Sequence, residues 1–463
     1  MSSDNRAPKS GTVRRPCHNQ SETVRVGPGH NQGLRESLGE FTRPEGLVLM
    51  IRIGIVGCGR ILAAHLRGYR LLREAGVDDF RITALCERSA DDARMYVRRG
   101  EGPAQRPAVG TAREDPLSVA DEYLSDFQDD VEVQVYTDFR RMVAEAPIDA
   151  VNDFTSHALH HQVAAAALEH GKDLLTEKPM AATVRAARRM CQQAESRGLV
   201  LGVFQNGRFA PSTRHLRWLF DSGKCGRVQM VLVGSVAARW APDEICAQTP
   251  WRHRRIEGGG IGVDVGVHRF DLVRHVAGEI VDVEARTATL EPVRVTRDAD
   301  GRESQRVECD ADDTVAATFQ TESGAMGMML VSVAGHGGPT MLGPGIVFYG
   351  SAGRASLADV TFDDQSTVAL EGLYRQGCDA ATKESHFPFG LKDSFALAQH
   401  DWLDAVRRRR PPEVSGQEGL LDLACAFAML ESAQAGRRVR VEEVLSGALC
   451  DYQRPIDEHF GIG

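Results

Sequence analysis

From Met50 onward, short apolar runs alternate with stretches of helical periodicity, and this rhythm limits the possible folds more than any single motif. IRIGIVG at 51–57 is followed by a helical pattern over His65 to Glu74, then RITALCE at 81–87, then a second helical pattern from Ser89. Near-continuous apolar strands are the mark of a sheet covered on both faces, and their alternation with helices predicts βαβ units and a parallel sheet. An unusually long segment at 100–130, with a helix expected near Leu117 to Phe127, interrupts the rhythm. Segments of that length are commonly lids or interface elements. The pattern then resumes with Asp138 to Glu145, a strand at Asp149 to Thr155, a helix at His160 to His170, a strand at Asp173 to Thr176, a helix at Thr183 to Arg197 and a strand at Val200 to Phe204.

After Gly207 the texture changes. Helices are predicted near Thr213 to Asp221 and His268 to Val276. Extended runs are predicted at Arg227 to Trp240, Val281 to Leu290, Thr314 to Thr321, Ala325 to Ala334, Ile346 to Tyr349, Ala355 to Ala358 and Thr367 to Leu370. Hairpin-like spacing with glycines at the turns points to one mainly antiparallel sheet. Helices at Ser394 to Arg409 and Gly419 to Ala435 close the chain. The expected organisation is a disordered extension over 1–46, an α/β nucleotide-binding domain over 47–206 and an α+β domain over 207–463.

With 55 Lys and Arg against 64 Asp and Glu, the net charge of -9 offers no general attraction to nucleic acid or anionic membrane. No run approaches the roughly 18 apolar residues of a membrane span. Ten cysteines are scattered without CxxC spacing, which supports neither a zinc site nor a disulfide framework and makes a reducing cytoplasm the simplest setting. Arg14-Arg15 is followed by polar residues instead of an apolar core, so a signal peptide is not expected.

Three segments carry chemistry. Gly57 and Gly59, with Cys58 between and Arg60 and Ile61 after them, join the first strand to a helix. Glycines there allow a tight turn and close approach of a pyrophosphate to the helix N-terminus. Leu62 replaces the third glycine of that fingerprint. Glu87, at the end of the second strand, can accept hydrogen bonds from the ribose hydroxyls of NAD. Beside that carboxylate a 2'-phosphate would meet repulsion on the order of several kcal/mol, which favours NAD. Arg88 could offset the charge, which keeps NADP open.

Glu177-Lys178-Pro179 follows another strand, and a lysine at the carboxyl end of a parallel strand points into the crevice where cofactors bind. Its ammonium can stabilise an alkoxide developing on a substrate. In GGGIGVDVGVHRFD at 258–271, a continuous helix would place Asp264, His268 and Asp271 at i, i+4 and i+7 on one face. A histidine beside a carboxylate suits removal of an alcohol proton near pH 7. The same spacing also fits a solvated polar stripe or a metal-binding pair.

These signals, in this order, resemble the family of glucose-fructose oxidoreductase, inositol dehydrogenase and MocA. The resemblance runs from about Met50 to about Arg440 and includes TSHALHH at 155–161, GKDLLTEKPMA at 171–181, WRHRR at 251–255 and FALAQHDWLDAV at 395–406. It implies a Rossmann domain followed by a domain whose large open sheet supports homo-oligomerisation and frames the substrate. It further implies that Lys178, Asp264 and His268 are the catalytic set, with no metal. His268 would exchange the hydroxyl proton, Lys178 would hydrogen-bond the reacting oxygen, and Asp264 would orient substrate or histidine. Asp271 is expected to be structural. Gly57, Gly59, Arg60, Ile61, Glu87, Arg88, Thr155, His160, Glu177 and Lys178 are expected at the cofactor. Arg208, Trp251, Arg252 and His253 are expected to line the substrate pocket with Lys178, Asp264 and His268. The chain departs from the family at Ser156, where proline is usual, and at Leu62, where a small residue is usual.

The implied activity is NAD(P)-dependent hydride transfer to or from a secondary alcohol or ketone of a sugar, cyclitol or related polyol. Glycoside hydrolysis or elimination through transient oxidation by held NAD is the alternative on the same fold. Nucleotide binding without catalysis is a third reading, against which Lys178, Asp264 and His268 argue.

Overall fold

Ile51, Ile53, Ile55 and Val56 are all buried, so the first strand is covered on both sides, as its unbroken apolar run requires. The computed structural model describes residues 50–97, 122–236, 241–298, 300–337 and 340–463. The expected extension at 1–46, the strand start at Leu47 and the 100–121 part of the insertion lie outside the described residues.

The first sheet is built from β1 (Ile51–Val56), α1 (Leu62–Glu74), β2 (Phe80–Cys86), α2 (Ala90–Arg94), β3 (Gln134–Tyr136), α3 (Phe139–Glu145), β4 (Ala150–Asp153), α4 (His157–Glu169), β5 (Asp173–Glu177), α5 (Val184–Ser196) and β6 (Leu201–Phe204). Its order is β3-β2-β1-β4-β5-β6, and every neighbouring pair is parallel. The strand order reverses between β1 and β4, and ligands of such sheets bind outside the carboxyl ends of the strands at that point. α1 begins at Leu62 and α4 at His157, each three residues before the sequence expectation. In α4 the reason is local: extended Ser156 occupies the N-cap position, so the helix opens on His157. Of the helix expected over Leu117 to Phe127, the described part holds a single tight turn at Leu124–Asp126.

The chain continues through α6 (Pro211–Asp221), β7 (Val228–Val236), α7 (Ile261–Asp264), α8 (Gly266–Ala277), β8 (Ile280–Ala288), β9 (Val293–Arg297), β10 (Glu303–Glu308), β11 (Thr314–Thr321), β12 (Met326–Ser332), β13 (Thr340–Gly350), β14 (Gly353–Ser356), β15 (Asp359–Phe362) and β16 (Thr367–Ala369). It closes with α9 (Leu370–Gly377), α10 (Ala380–His386), α11 (Ser394–Arg408), α12 (Gly416–Ala435), β17 (Val439–Arg440), α13 (Val441–Ser446) and α14 (Arg454–Phe460). The second sheet has nine strands in the order β16-β15-β14-β13-β7-β12-β11-β8-β17. Only its β7/β12 pair is parallel.

β11 shows how this sheet is one-sided. Val315, Ala317, Phe319 and Thr321 point inward, while Ala316, Thr318 and Gln320 are exposed. α12 packs on β8 across the covered face and also meets α5 and β6, and α11 packs on α1. Two helices late in the sequence therefore return to the first sheet. β9 and β10 form a separate antiparallel hairpin that sequence reading missed, because four of the six β10 residues in ESQRVE are consecutive exposed polar groups.

Candidate active site

The turn after β1 is closed by a steric demand. Gly57 has φ of 97°, and a Cβ there would lie 2.7 Å from the Phe154 carbonyl. Gly59 has nothing within 4 Å on its Cβ side, which leaves the space a pyrophosphate needs above the start of α1. Glu87 reaches this turn: its Oε2 accepts from the Cys58 amide at 2.9 Å and its Oε1 from the Arg88 amide at 2.9 Å. Each oxygen retains a lone pair for a ribose hydroxyl. The Arg88 side chain is exposed, and Arg60 donates to the Ala247 carbonyl at 2.6 Å, tying the turn to the segment before Trp251. These groups fit an NAD ribose and pyrophosphate.

The Glu177-Lys178-Pro179 turn is held from behind. Glu177 Oε2 accepts from the Lys178 amide at 3.0 Å, and Oε1 lies 2.9 Å from His65 Nε2. His65 is fully buried, stacks on Phe154 and accepts at its carbonyl from Gln399 of α11. Both Glu177 oxygens thus take part in fixing the lysine, at the carboxyl end of β5. His160 is also fully buried, with Nδ1 2.9 Å from the Pro179 carbonyl and Nε2 3.1 Å from the Thr155 carbonyl. Thr155 donates through its hydroxyl to Asp153 at 2.6 Å. The structure brings His160 and Thr155 to the crevice as braces between the loops after β4 and β5.

Three successive glycines precede α7 for separate reasons. Gly258 and Gly260 have φ of 78° and 119°, and a Cβ on Gly259 would lie 2.5 Å from the carbonyl oxygens of Trp251 and Arg252. The turn therefore presses the Trp251-Arg252 backbone against α7. Asp312 caps that helix from another segment, its carbonyl accepting from Ile261 N at 2.8 Å and its Oδ2 from Gly262 N at 2.7 Å.

Asp264 ends α7 between two cations. Lys178 Nζ donates to Asp264 Oδ1 at 3.1 Å and to its carbonyl at 3.2 Å, and Arg252 donates to Oδ2 at 2.5 Å. The Arg252 guanidinium also covers the Trp251 ring, 4.5 Å from its centroid. Burial opposes ionisation of Asp264, but Arg252 and Lys178 outweigh it and hold the carboxyl well below the usual carboxylate range. His268 lies in the first turn of α8 and is half-buried. His253 is buried and accepts from the Cys246 amide at 3.0 Å, and burial lowers its imidazole to about 4.

Val265, between α7 and α8, keeps right-handed helical dihedrals (φ -100°, ψ -33°), so Asp264 at the end of α7 and His268 in the first turn of α8 follow one nearly continuous helical path. Two other expectations need correction. Asp271 does not share their open face: it is 2 % exposed and accepts from Arg208 Nε at 2.8 Å. Arg208, expected at the substrate, is itself 4 % exposed and also pairs with Glu418 at 3.0 Å. Arg274 and Asp422 extend this buried network at 2.5 Å. A guanidinium compensated in this way is an internal strut between α8 and α12.

One site residue was missed. His157, at the start of α4, lines the same cavity as Trp251, Arg252 and Asp264. Its sequence signals were its place in TSHALHH at 155–161 and its position after the carboxyl end of a strand beside the reversal point.

Asp312 gives this architecture a pH signature. Burial pushes its carboxyl up from 3.8 to about 6, partly offset by the Gly262 amide. Because the folded value exceeds the unfolded one, its stabilising contribution is full below about 4 and is lost as pH rises through about 6. Asp312→Asn should therefore gain stability relative to wild type by about 2 kcal/mol between pH 4.5 and 7, read from urea unfolding at each pH. Parallel stability curves for the two proteins would contradict this.

Residues 218–441 match the C-terminal alpha/beta domain of the GFO/IDH/MocA oxidoreductase family, and residues 111–205 match its NAD-binding Rossmann fold. Myo-inositol 2-dehydrogenase from Thermotoga maritima is 25% identical over 396 residues, spanning 85% of this chain and all of that protein. D-apiose dehydrogenase from Paraburkholderia graminis is 24% identical over 399 residues, covering 84% of this chain and 89% of its own. Among solved structures, levoglucosan dehydrogenase in complex with NADH and L-sorbose superposes with a TM-score of 0.64 at 21% identity, covering 86% of this chain and all of that one. The WlbA dehydrogenase from Bordetella pertussis, in complex with NADH and UDP-GlcNAcA, gives 0.60 at 23% identity, covering 85% and 98%. Two matched domains, the parallel sheet with its glycine turn and the mainly antiparallel second sheet lead to one conclusion: the chain belongs to the GFO/IDH/MocA family and is an NAD-binding oxidoreductase.

Proposed function

We propose that the protein transfers hydride between NAD and a secondary alcohol or ketone of a sugar, cyclitol or related polyol, with Lys178, Asp264 and His268 as the reacting set. One observation carries this reading: Lys178 Nζ, at the end of β5 in the dinucleotide sheet, lies 3.1 Å from Asp264 Oδ1 in α7. An ammonium has three N–H donors. Two are spent on Asp264, so the third is available to a substrate oxygen, and Asp264 aims it. In the oxidative direction His268 takes the hydroxyl proton while Lys178 holds the oxygen, and reduction runs the same transfers in reverse. Bound nicotinamide supplies the acceptor or donor of the hydride at its C4.

Gly57, Gly59, Ile61 and Glu87 would hold the dinucleotide, with Arg60, Arg88, Thr155 and His160 around them. The Glu87 carboxylate at the ribose position favours NAD over NADP. The similarity to a myo-inositol 2-dehydrogenase and a D-apiose dehydrogenase supports a polyol substrate. Trp251 and Arg252, beside Asp264 in the cavity, are the substrate-lining pair we favour. The reading predicts that Lys178→Ala and His268→Ala each lower kcat/KM by about two to four orders of magnitude while NADH binding persists. NADH absorbance with a panel of sugars and inositols measures the first and fluorescence titration the second. Wild-type turnover in both variants would defeat the assignment.

The outer face of the second sheet supports homo-oligomerisation. Met230, Met326 and Met328 are 48%, 67% and 44% exposed, and Met230 pairs with Met326 across β7 and β12. Exposed apolar side chains grouped on one sheet face are a common signature of a subunit interface. Met326→Lys combined with Met328→Lys should convert the assembly to monomer in light scattering. An unchanged mass would contradict that interface.

A further inference from the structure

His157 has no part in the proton and hydride transfers above, yet it lines one cavity with Asp264, the residue that aims Lys178. It is 4 % exposed, opens α4 at the carboxyl end of β4, and meets the Trp251 ring edge to face at a centroid separation of 4.6 Å. Its Nδ1 faces the Gly258 carbonyl at 3.4 Å. A carbonyl oxygen only accepts, so that contact places the ring proton on Nδ1 and leaves Nε2 with a lone pair. Among the described residues, Nε2 has no hydrogen-bond partner. Burial, and then the nearby Arg252, His160 and Lys178 charges, outweigh Asp264 and hold the imidazole well below 6.5, so it is neutral at pH 7.

We infer that His157 is a specificity-determining residue of this site, whose Nε2 accepts a hydrogen bond from a substrate hydroxyl other than the one that reacts. The inference rests on the polyol reading and deepens it. The cavity presents four kinds of surface: the Trp251 indole, the Arg252 guanidinium, the Asp264 carboxylate and the His157 acceptor. An aromatic ring offers an apolar bed for the C–H face of a sugar, while groups of fixed polarity select its hydroxyls. Lys178 and Arg252 can only donate, and Asp264 already accepts from both. His157 therefore adds an uncommitted acceptor, suited to a ligand group that must donate. The carboxamide N–H of a nicotinamide shares that chemistry. We assign the lone pair to the substrate because the ring packs on Trp251 and the Gly258 turn, and lines one cavity with Trp251, Arg252 and Asp264.

His157→Phe keeps a ring against Trp251 and removes the acceptor, and His157→Gln retains a carbonyl acceptor. The test takes myo-inositol, D-xylose and D-glucose as probes, follows NADH absorbance for KM and kcat, and titrates NADH separately by fluorescence. Thermal unfolding checks that both variants fold. The expected result is a KM raised about ten-fold or more in His157→Phe on the best probe, with kcat and NADH affinity each within about three-fold of wild type, and a smaller rise in His157→Gln. An unchanged KM overturns the assignment and leaves the dehydrogenase reading intact. A parallel loss of NADH affinity also overturns it, moving the contact to the cofactor. Equal losses in the Phe and Gln variants reduce His157 to a packing role. Wild-type inactivity on every probe overturns the polyol reading and this inference with it.

Discussion

The site depends on one carboxylate. The Asp264 side chain is 23 % exposed, and taking an ionised group part-way out of water opposes its charge. It stays charged because Lys178 and Arg252 reach its two oxygens from different parts of the chain. Lys178 arrives from the parallel sheet, and Arg252 from the turn that the glycine triplet presses against α7. Removing either cation leaves part of the burial cost unpaid, which makes the three residues one electrostatic unit. The surrounding elements serve this meeting: Glu177 and His65 fix the lysine from behind, and Asp312 fixes α7 from its amino end.

Much of this was legible in the residue order. The parallel sheet followed from apolar runs alternating with helices, and the Gly57 turn and Lys178 fell at the carboxyl ends of their strands, as the mechanism of such sheets demands. β11 was read with its exact bounds because its alternation is strict. The polar hairpin β9–β10 gave no such signal, since little of it is buried. Within 258–271, periodicity placed Asp264 and His268 one turn apart and Asp271 on the same face. Burial against the distant partner Arg208 separates Asp271 from them. No spacing rule reveals that Arg208 is neutralised by Asp271 and Glu418, residues 63 and 210 positions away.

The same limit explains Glu177, His160 and His157. Each is visible in a motif, but whether a side chain faces a ligand or braces a loop depends on contacts made after folding. Glu177 holds the Lys178 turn, and His160 bridges the loops after β4 and β5. His157, within the same TSHALHH stretch as His160, lines the cavity. Helices α11 and α12 show a longer-range case, since their packing on α1, α5 and β6 ties the last part of the chain to the first sheet.

The most direct test of the central claim is a double-mutant cycle on kcat/KM with Lys178→Met and Asp264→Asn. If the two residues act as one unit, the double variant should lose about as much activity as the more damaged single variant, a coupling of about 2 kcal/mol or more. Multiplicative losses, with coupling below about 0.5 kcal/mol, would show that the 3.1 Å contact between them is incidental to catalysis.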